Sequence, residues 1–226
     1  QKSGEVMKGP LVVGCTLDLS KTSAPLGKRL RSGLELRINK ENWEGGIAGQ
    51  PLKMIFLDDA YTPRRAQQNM FKFVNEYHTK TILAPLGTPT TESFLPIVEK
   101  EDMLVLFPYT GAMIFRKPDL TSFVHLRSSY ANEAKALVTY AVNYLQAQKF
   151  AIFYQDDSYG KAPLEAAEET LRSFKINDWL ATAYVRNNPN VDDAATKILS
   201  YNPDVILFFS THAPSVALIR KLGIHK

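Results

Sequence analysis

Two stretches of this 226-residue chain place small and hydroxyl-bearing residues where a buried strand is expected to stop. They are Leu86-Gly87-Thr88-Pro89-Thr90-Thr91, after the apolar run 81–86, and Pro108-Tyr109-Thr110-Gly111-Ala112, after 103–107. Ligands lodge at the carboxyl ends of an open parallel sheet, so two such loops one helix apart predict a small-molecule site rather than a catalytic centre. Thr88 before Pro89 predicts an N-cap with proline at the first helical position, and Thr90, Thr91 and Glu92 complete the opening turn. Free amides there, with the Thr88 and Thr90 hydroxyls, can hold a carboxylate. The same threonines can equally serve only as caps. Gly87 supplies either a positive φ or a close approach for a ligand, and the sequence leaves both open.

Other chemistry-bearing residues read as structural. Asp58-Asp59 and Asp156-Asp157 sit at strand ends, where aspartate caps the following turn. Gly45-Gly46-Ile47-Ala48-Gly49 follows a helix and precedes a strand, the reverse of the order a phosphate-binding turn requires, so no cofactor is expected. His78, His125, His212 and His225 lack metal-ligand spacing, and no metal site is predicted. Cys15, the only cysteine, lies in an apolar strand and reads as an inert buried thiol. No serine occupies a nucleophile elbow, and no catalytic residue is assigned.

The elements that must position the two loops alternate along the chain. Strands are expected at 11–17, 52–57, 81–86, 103–107, 122–126, 150–154, 180–185 and 205–209. Helices are expected at about 26–43, 63–77, 90–101, 132–146, 162–174, 191–201 and 214–222. Short, apolar, β-branched strands of this kind belong to parallel sheets buried on both faces. The fold class is therefore α/β, doubly wound, with 45% hydrophobic residues to build the cores. A net charge of +4, from 27 basic and 23 acidic side chains, is weak support for an acidic partner. Lys28, Arg29 and Arg31 form the densest basic cluster, on the outer side of a helix whose apolar stripe is Leu26, Leu30, Leu34 and Ile38. No nucleic-acid signature accompanies them. No apolar stretch approaches the roughly 20 residues of a membrane span, and residues 1–10 are polar without a signal-peptide core. For an exported protein, that implies a signal already removed.

From Leu11 to Leu222 the residues resemble the type I periplasmic solute-binding proteins of the leucine/isoleucine/valine-binding kind. The features are the strand Leu11 to Thr16 leading through Leu19-Ser20 to Gly27, the turn 45–49 before Leu52, the pair Asp58-Asp59, and Asp156-Asp157-Ser158-Tyr159-Gly160 after a strand. The resemblance implies two lobes closing over an amino acid or related organic acid. On it, Leu86, Gly87 and Thr88 match the loop holding the ligand carboxylate. Tyr109, Thr110 and Gly111 match the loop contacting carboxylate and ammonium, and Leu26 matches a cleft wall. Across the cleft, Tyr159 matches an aromatic cover and Thr211 or His212 a further contact; from its residue type alone, Tyr159 can equally be a packing staple. Tyr109 departs from the glycine usual in amino-acid binders, which implies a pocket reshaped for another side chain or for a non-amino-acid acid.

The resemblance further implies a periplasmic or otherwise extracytoplasmic receptor that passes its ligand to a membrane ABC permease. A sensor domain of the same fold is the alternative, and an α/β enzyme is disfavoured. The first lobe is expected over 1–127 and the second over 128–226, with the break near Arg127-Ser128-Ser129. Family members continue well past Lys226 to complete both lobes and to supply the acid that pairs with a ligand ammonium, so the chain reads as a truncated form. Exposed sheet edges in such a form imply self-association.

Overall fold

The computed structural model describes residues 9–223, so His225 lies outside the described residues. The chain opens with β1 (Leu11–Leu17), α1 (Ala24–Trp43), β2 (Leu52–Asp58) and α2 (Pro63–Asn75). Next come β3 (Thr81–Leu83), α3 (Thr88–Ser93), α4 (Leu95–Lys100), β4 (Leu104–Leu106), a single 3-10 turn (Met113–Phe115) and β5 (Phe123–Val124). The remainder is α5 (Tyr130–Leu145), β6 (Phe150–Gln155), α6 (Ser158–Ser173), β7 (Trp179–Tyr184), α7 (Asp192–Tyr201), β8 (Val205–Phe209) and α8 (His212–Lys221). The strands form two wholly parallel sheets, ordered β2-β1-β3-β4-β5 and β7-β6-β8.

The second sheet is covered on both faces, as its uninterrupted apolar strands require. The first is covered fully on one face and on the other only over β1 and β2, so that Leu104 of β4 and Val124 of β5 are exposed. In β6, Phe150 and Ile152 face Ala134, Val138 and Ala141 of α5 and Ala167 and Leu171 of α6. Ala151 and Phe153 face the other way, toward Ala194, Ala195 and Ile198 of α7 and Leu218 of α8. This alternation is the period-2 geometry of a strand. On the first sheet, α2 and α4 enclose a core of Met70, Phe73, Ile82, Phe94, Val98 and Val105. Leu30 and Leu34 of α1 cover Cys15 and Leu17 on the opposite face.

The strand positions agree with the sequence reading and several ends do not. β3 stops at Leu83 rather than Leu86 because Ala84 turns to φ 50 and Pro85 has no N–H to donate. β4 ends at Leu106, before Phe107 at φ 53 and Pro108, and β5 shrinks to two residues. The single helix expected over 90–101 is two six-residue helices that share Phe94 as their joint, φ −106 and ψ 5. Pro96, one residue into α4, cannot make the amide bond that would fuse them. α5 and α6 begin earlier than expected, at Tyr130 and Ser158, because Ser129 and Asp157 cap them. Ser129 Oγ accepts from Asn132 N at 3.1 Å, and Asp157 Oδ1 from Tyr159 N at 3.0 Å.

Candidate functional site

The carboxyl ends of β1, β3 and β4 meet those of β6 and β8 across a cavity of about 320 Å3. Its first wall is built from Thr22, Ser23, Leu26, Tyr61, Leu86, Gly87 and Tyr109, and its second from Tyr159, Pro163, Phe208, Ser210, Thr211 and His212. Arg127, Tyr130 and Glu133 stand between the two. Of the residues singled out from sequence, Leu26, Leu86, Gly87, Tyr109, Tyr159, Thr211 and His212 line this cavity. Leu26 sits on the same helical stripe as Leu30 and Leu34 but is 37% exposed, because the first turn of α1 projects past the sheet into the cleft.

Thr88, Thr110 and Gly111 do not line the cavity. Thr88 and Thr110 are fully buried, and their hydroxyl oxygens lie 2.7 Å apart in a mutual hydrogen bond. Thr88 is the first residue of α3 and Gly87 is its N-cap, which corrects the expected register by one residue. The Thr90 hydroxyl donates to the Leu86 and Gly87 carbonyls at 2.6 and 3.1 Å. The amides nearby are also engaged: Leu86 N donates to Thr16 O and Gly87 N to Tyr109 O. These bonds, together with a parallel bridge between Leu86 and Tyr109, zip the two loops to one another. The threonine hydroxyls of the expected carboxylate seat, and the Leu86 and Gly87 amides, are therefore already engaged internally. Gly111 serves packing, since a Cβ there would lie 2.7 Å from the Tyr130 ring.

Gly87 answers the question its sequence left open. It holds φ 102, and a Cβ on it would meet the Tyr61 ring at 2.4 Å, so both the turn and that ring require glycine. Tyr61 is the principal residue missed. It follows Ala60, and both take φ 51, a left-handed pair that neither residue type announces.

A chain of polar contacts joins the walls. Gln155 Nε2 donates to the Tyr61 hydroxyl at 3.2 Å and to Asp157 Oδ2 at 2.7 Å. The Tyr184 hydroxyl donates to Gln155 Oε1 at 2.9 Å and accepts from Thr211 N at 2.9 Å. Burial raises the Tyr184 phenol to about 12 and pushes Tyr61 and Tyr159 well above the ordinary phenol range, so all three remain neutral donors. Tyr159 Oη donates to Ser210 O at 3.2 Å while its ring meets Tyr130 edge-on at 5.6 Å. It thus packs against Tyr130 and lines the cavity at once.

The acidic pairs serve turns. Asp58 Oδ1 accepts from Leu19 N and Ala60 N, and Asp59 Oδ1 from Tyr61 N. Asp59 is fully buried, and its Oδ2 accepts from Thr16 Oγ1 at 2.7 Å. Burial, with Asp18 and Asp58 close by, lifts its carboxyl to about 7 despite those donors. The turn 45–49 lies between α1 and β2 with Ile47 bridged to Gln50. Cys15 is fully buried and free, and burial raises its thiol well above the ordinary value. Among the described residues, no cluster of His, Cys, Asp and Glu could hold a metal ion, and no helix is long and apolar enough to cross a membrane.

Arg127 and Glu133 were also missed as site residues. Arg127 stands at the carboxyl end of a strand, the same criterion that selected Gly87, but its segment reads as a connection between lobes. Its guanidinium donates to Glu133 Oε1 at 2.6 Å and lies over the rings of Tyr109 and Tyr130, 5.6 and 5.0 Å from their centroids.

Two parallel sheets with a partly apolar cavity at their facing carboxyl ends form the kind of crevice in which open α/β folds hold small molecules. The chain belongs to the periplasmic binding protein family, whose model matches residues 10–223. It is similar to an amino acid binding protein of Pseudomonas aeruginosa, 20% identical over 94% of this chain and 57% of that protein. A Leu/Ile/Val-binding protein of Escherichia coli is 21% identical over 90% of this chain and 55% of its own length. The crystal structure of a possible leucine/isoleucine/valine-binding protein from Rhodopirellula baltica superposes with a TM-score of 0.90 at 26% identity, covering 99% of this chain and 62% of that one. A solute-binding protein from R. palustris in complex with benzoate shares the fold, with a TM-score of 0.86 at 17% identity over 96% of this chain and 59% of its own. The chain thus spans a little over half the length of the curated relatives it matches.

Proposed function

We propose that this chain is the ligand-binding part of an extracytoplasmic solute receptor that captures a small carboxylate-bearing molecule, an amino acid or related organic acid, and delivers it to an ABC permease. The lobes of this reading are residues 1–127 and 128–226, closing over ligand about the segment 127–129. The partition is supported by the sheets, since every strand through Val124 belongs to one and every strand from Phe150 to the other. Arg116 Nη2 braces the junction by donating to the Arg127 and Ser128 carbonyls at 2.8 and 3.3 Å.

The observation that carries the reading is the position of Arg127, a guanidinium beside Glu133 on the wall of a partly apolar cavity. Such a site matches a molecule with a carboxylate at one end and an apolar body at the other. The names of the relatives, which bind amino acids or, in one neighbour, benzoate, point the same way. The test is a thermal-shift screen of the chain against L-leucine, L-phenylalanine, benzoate and their amides. A ligand that binds only the folded form raises its melting temperature with concentration. Shifts from acids but not from amides are expected, and a screen in which amides match the acids would refute the carboxylate reading.

A further inference from the structure

Arg127 and Glu133 are the arginine and the glutamate on the cavity wall. They lie in the segment that leads from β5 into the first turn of α5, and their side chains keep 32% and 40% of their exposure, so a molecule in the cavity reaches both. Burial by itself would weaken the guanidinium, but its bond to Glu133 and the neighbouring tyrosines hold its pKa above the ordinary value. Among the described residues, the bond to Glu133 is the one hydrogen bond the guanidinium makes, and its Nε is buried without a partner. Arginine carries five donors in a rigid fork suited to carboxylate, so most of this fork is unspent.

The pair's charges sum to zero. A plain carboxylate entering the cavity would take the free donors on Arg127 but would leave one uncompensated negative charge beside Glu133, at the low effective dielectric of a cleft. A zwitterion brings an ammonium that answers Glu133 at the same time. We propose that Arg127 and Glu133 form a split ion pair that sorts ligands by charge, Arg127 taking the carboxylate and Glu133 the ammonium. The pair thereby favours an amino acid over the plain acid of the same body. This rests on the reading above that the cleft holds a carboxylate, and it places the ammonium partner within this chain, on α5.

The test compares compounds that differ only by the ammonium: L-phenylalanine with 3-phenylpropanoate, and L-leucine with 4-methylpentanoate, titrated calorimetrically into the chain. The unaltered protein is expected to prefer the amino acid of at least one pair. Glu133→Gln is expected to weaken that amino acid about tenfold or more and to tighten the matching acid several-fold, while Arg127→Gln weakens both about tenfold or more. The gain for the acid is the internal control, since a misfolded variant gains nothing. Preference for the plain acid in the unaltered protein, an unchanged ratio in Glu133→Gln, or loss of both ligands in that variant would overturn the split pair and leave the carboxylate reading standing. If no member of either pair binds the unaltered protein, both fall.

Discussion

Asn187 Nδ2 donates to the Ala60 carbonyl at 3.1 Å, tying the loop after β7 to the loop after β2. The same amide reaches the Tyr61 carbonyl at 3.4 Å, and its Oδ1 accepts from Thr22 Oγ1 at 2.7 Å. One side chain of the second sheet's loops therefore clasps two segments of the first. All three residues of the clasp's centre, Ala60, Tyr61 and Asn187, hold positive φ of 51, 51 and 60. Left-handed backbone costs about 1 kcal/mol or more per residue outside glycine, so the clasp offsets a local strain.

Removing the clasp should let the two sheets separate. A net contribution of about 1 kcal/mol per hydrogen bond predicts that Asn187→Ala weakens the contact between sheets by about 1 to 3 kcal/mol. Small-angle scattering of the variant should give a larger radius of gyration than the parent. Identical scattering curves would mean that the clasp does not hold the walls together.

Asp59 predicts a pH dependence of stability. Its carboxyl titrates at about 7 in the folded chain against 3.8 ordinarily, so between those values the native state holds more protons than the unfolded one. Stability from this group is then greatest below pH 4, falls as pH rises toward 7 and is level above, with a slope of at most about 1.4 kcal/mol per pH unit. His125, whose pKa is lowered mainly by burial, acts in the opposite sense. The informative quantity is therefore the difference between the parent and Asp59→Asn, which cancels the histidine. Urea unfolding at pH 5 and pH 8 should show the parent losing more stability than the variant across that interval; equal losses would contradict the buried proton.

Two glycine substitutions should act with opposite sign. Gly87→Ala forces an alanine into φ 102 against the Tyr61 ring, and is expected to cost about 1 to 3 kcal/mol. Gly33→Ala, on the exposed side of α1 with nothing within 4 Å of the added carbon, should stabilise by about 0.5 to 1 kcal/mol. Chemical denaturation measures both. A neutral Gly87→Ala would show that the Gly87 turn and the Tyr61 ring do not depend on each other.

The strands were legible from composition because apolar, β-branched runs such as Val205–Phe209 have few other uses, and the two loops beyond β3 and β4 were found by the same logic. What the pattern could not convey was where each hydroxyl points. Thr88 and Thr110 are 22 residues apart, and their mutual bond arises only once β3 and β4 lie side by side. Tyr61 escaped notice because its place in the cleft depends on two successive left-handed residues, which alanine and tyrosine do not signal. Arg127 escaped because a charged residue between two elements reads as a solvated connection. Its partner Glu133 comes within reach only when α5 starts at Tyr130, two residues before the expected helix.

The chain's lone sulfhydryl, Cys15, is sealed beneath α1 against the first sheet. Reagents that modify cysteine would therefore find the folded molecule blank, and a residue replaced by cysteine on each rim would be tagged without competition. A donor and acceptor dye mounted that way would turn the gap between the rims into a ruler, read molecule by molecule as solute is added.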